Sequence, residues 1–145
     1  MTRDYTRRSR GCFGCGSDNA AGLGLEPFRE DGQVFAEFTP AERHRGFSSV
    51  VHGGIIATAL DEILTNAASS ALGRLAATSS LEVRFLRPLA VGQTYRVRGR
   101  YLGLVDGQHA AEGDVTGPNG VTLATARGRF VELTPERVER FVKKI

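Results

Sequence analysis

The stretch GGIIATALDEILTNAASSAL, Gly53 to Leu72, carries only two charges, and those two, Asp61 and Glu62, are neighbours. Ile55, Ile56, Ala59, Leu60, Ile63, Leu64, Ala67, Ala68 and Leu72 recur at helical spacing. The positions between them are mostly Ala, Ser, Thr and Asn. A helix so poor in charge must be covered nearly all round, so the rest of the chain has to wrap it. Gly73 is the expected stop, because glycine accepts the left-handed conformation that ends a helix.

The flanks supply the cover. GLGLEPFRE and QVFAEFTP read as short strands joined through Asp31-Gly32, a hairpin signal. After the helix the period becomes two. Leu81, Val83 and Phe85 alternate with Glu82 and Arg84, and Tyr95, Val97 and Tyr101 alternate with Arg96, Arg98 and Arg100. Asp106-Gly107 and Pro118-Asn119-Gly120 turn the chain into two more strands, so an antiparallel meander is expected. The three arginines of TYRVRGRYLGLV read as the polar face of that sheet. TPERVERFVKKI predicts a closing helix, with Thr134 as N-cap, Pro135 at the first helical position, and Lys143 and Lys144 in the last turn. The expected class is α+β: an antiparallel sheet of about six strands curled around one long helix.

Bulk properties narrow the function. At 145 residues one domain is expected over 1–145, with residues 1–11 flexible and 134–145 forming the C-terminal helix. No uninterrupted apolar run reaches membrane-spanning length. MTRDYTRRSRG lacks an apolar core, so a secretory leader is not expected and a cytoplasmic location is. The net charge is only +3, with one small cluster at Arg3, Arg7, Arg8 and Arg10. A nucleic-acid binder needs a denser basic stripe and a motif, so no nucleic-acid partner is expected. Cys12 and Cys15 form a C-x-x-C, but a tetrahedral metal site needs two further ligands. His44, His52 and His109 are not paired at ligand spacing. The segment therefore reads as a glycine-rich turn with reduced thiols, and no metal is expected.

Two readings of the acidic pair compete. In the structural one, an acid pairs with Arg74, Arg84 or Arg87. Asp61 and Glu62 point about 100° apart, so both cannot enter one packed face. In the functional one, Gly53-Gly54 exposes the backbone N–H groups at the head of the helix, where negative charge is favoured and a ligand approaches closely. Such donors suit an oxyanion, with His52 adding to them or orienting the loop. A half-buried carboxylate suits a general base or nucleophile. Gly53 and Asp61 are eight residues apart, about 12 Å along a helix. Both must lie about 3 Å from the reacting atoms, so a catalytic site has to combine two subunits related by a two-fold axis.

HGGIIATALDE resembles the motif of the hotdog-fold thioesterases of the PaaI-like group. There HGG opens the central helix and an acid follows nine positions after the histidine, as Asp61 follows His52. CFGCGSDNAAGLGL resembles the N-terminal signature of a subgroup that includes mitochondrial acyl-CoA thioesterases. TSSLEVRFLRPLAVG resembles the family's strand after the helix. The likeness runs from about Cys12 to Val131.

It implies an acyl-CoA thioesterase that works as a dimer or tetramer. Asp61 would be the base or nucleophile, and the Gly53 N–H, helped by His52 and with Gly54 beside it, would polarise the carbonyl. Thr78 would hold the attacking water, with Ser79 as its substitute. Arg84 and Arg87 would meet the phosphates of coenzyme A, which enters as substrate, so no separate cofactor is expected. Phe47, Leu64 and Ala68 are candidates to line the acyl pocket, with core packing as the alternative. Several relatives carry Asn six positions before the histidine, where this chain has Gly46. A non-catalytic acyl-CoA binder or ligand sensor on the same fold is the rival reading. A hydratase is disfavoured by the arrangement of the helix motif.

Overall fold

Residues 9–142 are described in a computed structural model. The long helix, α1 (Gly53–Leu72), has the expected bounds. His52 caps it, its Nδ1 accepting the Gly54 N–H at 2.9 Å, and Gly73 ends it at φ 67°. Strands β1 (Phe28–Glu30) and β2 (Gln33–Phe38) precede it. Strands β3 (Ala76–Phe85), β4 (Tyr95–Val105), β5 (Gln108–Thr116) and β6 (Thr122–Glu132) follow. A second helix, α2 (Pro135–Val142), comes last; the Thr134 hydroxyl accepts the Arg137 N–H at 3.3 Å. Arg3, Arg7, Arg8, Lys143 and Lys144 lie outside the described residues.

The six strands form one antiparallel sheet in the order β1-β2-β4-β5-β6-β3. The tight turns behave as the sequence demands, since Asp31-Gly32 and Asp106-Gly107 have positive φ at both residues. The meander differs from the expectation in one respect. Only β4, β5 and β6 follow one another, whereas the connection through α1 delivers β3 to the far edge, where it pairs with β6 alone. The first strand is also shorter than GLGLEPFRE suggested, beginning only at Phe28.

Helix α1 lies close against the sheet centre because two glycines face it. A β-carbon on Gly99 would come within 3.0 Å of Ile63, and one on Gly113 within 2.6 Å of Leu64. These glycines are register partners on β4 and β5. Leu60, Ile63 and Leu64 are fully buried there. Each such side chain contributes about 1.5–3 kcal/mol, enough in sum to carry polar groups into the same helix if those groups are hydrogen-bonded.

The sheet is not the helix's only cover. Every residue from Glu62 to Ser69 is buried, so more than two turns are enclosed on all sides. Leu23 and Leu25 of the N-terminal segment join the same core, and Gly14 lies directly on Glu62. The segment expected to be a mere turn is thus a packed layer over the back of α1.

Candidate active site

The adjacent acids part company on α1. Asp61 is half-buried and turns toward β3, whereas Glu62 is 7 % exposed and turns toward the N-terminal segment. The Thr78 hydroxyl donates to Asp61 Oδ1 at 2.6 Å. One turn further along the helix, the Thr65 hydroxyl donates to the Asp61 carbonyl at 2.6 Å and lies 3.2 Å from Thr78 Oγ1. The β3–β6 register shifts between Thr78 and Ser80, an irregularity that re-aims a side chain at this point of the strand. With its proton given to Asp61, Thr78 keeps lone pairs for a second donor such as water. Thr65 was not foreseen; it stands one turn beyond Asp61, and only the direction of Asp61 toward β3 marks it.

Glu62 belongs to a different constellation. Its Oε1 accepts from Asn66 Nδ2 at 3.2 Å, and Cys12 Sγ approaches Oε2 at 3.7 Å. Burial pushes the Cys15 thiol well above its ordinary value, and the Glu62 carboxylate beside it pushes the same way. Of the arginines offered as partners for the pair, Arg74 binds Glu132 at 3.1 Å and Arg84 binds Glu82 at 3.6 Å.

At the head of α1, the Gly54 N–H is already taken by His52 Nδ1, so Gly54 is not the backbone donor it was expected to be. That bond leaves the proton of the neutral imidazole on the exposed Nε2. The Gly53 N–H has no hydrogen bond among the described residues and remains directed out of the helix. Gly46 packs against His52; a β-carbon there would lie 3.0 Å from the His52 Cα. Any larger residue at that position must shift the loop. His44, 3 % exposed, anchors the same loop by accepting the His52 N–H on its carbonyl at 2.9 Å. Burial lowers the His44 imidazole below its ordinary value, and Arg43 adds to the effect.

The remaining candidates are distributed unequally. Phe47 is 88 % exposed, on the loop before α1. Leu64 and Ala68 are fully buried and fall on the core side of the alternative, so within one chain neither lines an open cleft. Arg84 borders a cavity of about 600 Å³ on the outer sheet face, among Arg98, Arg100, Glu112 and Asp114 and away from Asp61. Arg98 pairs with Asp114 and Arg100 with Glu112, which is the polar face expected of β4. Arg87 is exposed just beyond β3. Phe85, at the end of β3, is 54 % exposed and flanks Gly53, whose hypothetical β-carbon would lie 3.5 Å from the ring.

A long central helix wrapped by a six-stranded antiparallel sheet, with the helix entered through His52-Gly53-Gly54, defines the hotdog fold. The sequence profile described as the thioesterase superfamily matches residues 48–104, the stretch that contains α1 and β3. The chain thus has the hotdog fold and, over residues 48–104, is similar to the thioesterase superfamily.

Solved structures agree. A thioesterase superfamily protein is 26 % identical, with a TM-score of 0.74 over 80 % of this chain, which spans only 60 % of that protein's length. The Escherichia coli PaaI protein, from the phenylacetic acid degradation operon, is 20 % identical, with a TM-score of 0.69 over 77 % of this chain and 81 % of its own. A Streptococcus mutans protein solved with acetyl CoA bound is 21 % identical, with a TM-score of 0.67 over 74 % of this chain and 87 % of its own. No curated protein matches in sequence. Among the described residues no helix is long and apolar enough to cross a membrane.

Proposed function

We propose that the protein hydrolyses acyl-CoA thioesters at sites shared between two copies of the chain. The observation that carries this reading is the 2.6 Å contact between Thr78 and Asp61, made on a sheet-edge strand. Strand β3 has Thr78 near its start and Phe85, the neighbour of Gly53, at its end, about 23 Å further on. Its outer edge pairs with no strand among those described, and so offers a row of backbone donors and acceptors to another strand. Two β3 strands paired antiparallel, in a register centred near Leu81 and Glu82, bring the Thr78 end of one beside the Phe85 end of the other. Asp61 of one copy then meets Gly53 and His52 of its partner, which removes the 12 Å difficulty (about eight residues of helix).

The chemistry follows from those groups. Water held by Thr78 gives a proton to Asp61 and attacks the thioester carbonyl carbon. The oxygen that becomes negative is met by the Gly53 N–H and by His52 Nε2–H of the other copy. Collapse breaks the carbon–sulfur bond, and the proton on Asp61 passes to the departing thiolate. The products are the free acid and coenzyme A. Arg87, exposed beyond Phe85, is the arginine proposed to meet the coenzyme A phosphates; Arg84, held on the outer face by Glu82, is the weaker choice. The acetyl CoA bound by the Streptococcus mutans relative supports a coenzyme A thioester as substrate.

The test is turnover of acyl-CoA substrates from short to long chain, including an aryl-acyl member, by the wild type and Asp61→Asn. Hydrolysis of at least one substrate that Asp61→Asn abolishes supports the reading. Binding of acyl-CoA with no turnover by the wild type would instead assign a ligand-binding role.

A further inference from the structure

The N-terminal C-x-x-C has no part in this chemistry, yet the fold carries it to a carboxylate fifty positions away in sequence. Cys12 Sγ, Cys15 Sγ and a Glu62 oxygen lie within 4.8 Å of one another. We propose that Cys12, Cys15 and Glu62 bind one divalent metal ion of the zinc type, which fastens the N-terminal layer to helix α1.

Four observations carry this. The first is distance. Around a tetrahedral zinc, two thiolates are about 3.8 Å apart, and a thiolate and a carboxylate oxygen about 3.5 Å apart. Cys12 Sγ is already 3.7 Å from Glu62 Oε2, so rotamer adjustments suffice to close the set. The second is donor type: two soft sulfurs and one oxygen suit zinc or cobalt, and suit calcium or magnesium poorly.

Orientation of the carboxylate is the third. Asn66, fully buried, donates to Glu62 Oε1 and leaves Oε2 for the sulfurs, as the outer partners of metal ligands do. The fourth is the shape of the loop. Gly14, between the cysteines, lies so close to Glu62 that a β-carbon there would be 2.5 Å from Oε2. The loop is held over the carboxylate by backbone bonds from Gly16 N to Cys12 O at 2.8 Å, from Leu23 N to Phe13 O at 2.8 Å and from Leu25 N to Gly14 O at 3.0 Å.

Both thiols are partly exposed, so solvent can supply a fourth ligand. Binding releases the two thiol protons to water, and no oxidant or reductant is involved. The sequence pattern argued against a metal because it held only two ligands within local reach. The third, Glu62, is brought in by the fold.

The test reads metal rather than turnover and is independent of the thioesterase reading. The full chain is stripped of metal, kept reduced with a phosphine, and titrated with cobalt(II). The expected result is saturation at one cobalt per chain, with a thiolate-to-cobalt charge-transfer band that zinc bleaches. The band falls to about half in Cys12→Ser and in Cys15→Ser, and is lost in the double variant, as expected for one thiolate ligand each. Glu62→Gln weakens cobalt affinity by about tenfold or more. Absence of the band in the reduced wild type overturns the proposal whatever the variants do. So does a band that persists without both cysteines, or air oxidation to a Cys12–Cys15 disulfide in a chain that takes up no cobalt when reduced.

Discussion

Asp61 and Glu62 share a peptide bond and almost nothing else. Asp61 looks onto an edge strand, accepts a hydroxyl and stays half-buried. Glu62 is sealed beneath the N-terminal segment among an amide and two thiols. Helical geometry alone separates them by about 100°, and the two layers around α1 turn that angle into two environments. A carboxylate that must exchange protons with a substrate needs access and a fixed neighbour, which the Asp61 side supplies. The other carboxylate, enclosed without bulk water, must be satisfied from within, and its contribution is to hold one layer of the protein on another.

That contrast breaks most visibly in turnover. Asp61→Asn is expected to lower kcat by about 10²–10⁴-fold, the range for loss of a positioned base. It should leave the urea midpoint close to that of the wild type, since the side chain is isosteric and half-exposed. Glu62→Ala should do the reverse in stability. Removing a buried partner of Asn66 and Cys12 costs about 1–3 kcal/mol in urea unfolding, well beyond the effect of Asp61→Asn. Equal losses of stability in both variants would erase the distinction.

Thr78→Val removes the hydroxyl that holds Asp61 and is proposed to hold the water, and is expected to lower kcat about 10–100-fold, with a stability loss of about 1.5–3 kcal/mol from the hydrogen bond to a charged group. An unchanged kcat would leave Asp61 without its water-holding partner. The smallest effect concerns the loop that carries His52. The His44 imidazole is lowered in the folded state, so the neutral ring favours the fold. Its contribution is complete above the ordinary histidine value and is lost as pH falls through the lowered folded value. The urea midpoint of the wild type should therefore drop between about pH 7.5 and about pH 5, and drop less in His44→Gln.

Much of this was legible in the sequence, for local reasons. The bounds of α1 follow from a charge-poor helical period and from Gly73, which takes the left-handed conformation. Asp31-Gly32 and Asp106-Gly107 named their own turns because positive φ selects such residues. What stayed hidden depends on contacts distant in sequence. Nothing in SSLEVRFLRPL states that β3 crosses to β6 rather than pairing with β4. No periodicity marks residues 12–25 as a second cover for the helix, and Gly14 matters only once Glu62 lies beneath it. At the site, His52, Gly53 and Asp61 came from helix geometry and the resemblance together, and Thr78 from the resemblance alone. The capture of the Gly54 N–H by His52, and the burial of Leu64, required coordinates.

The proposed site joins one copy's Asp61 to its partner's Gly53 and His52. The direct test mixes Asp61→Asn with His52→Ala, two variants each crippled as homodimers, after unfolding and refolding them together. A mixed dimer then holds one site with both groups intact, and random assortment predicts recovery to about a quarter of wild-type activity. Activity that stays at the mean of the two parents, although mixed dimers have formed, would contradict a shared site.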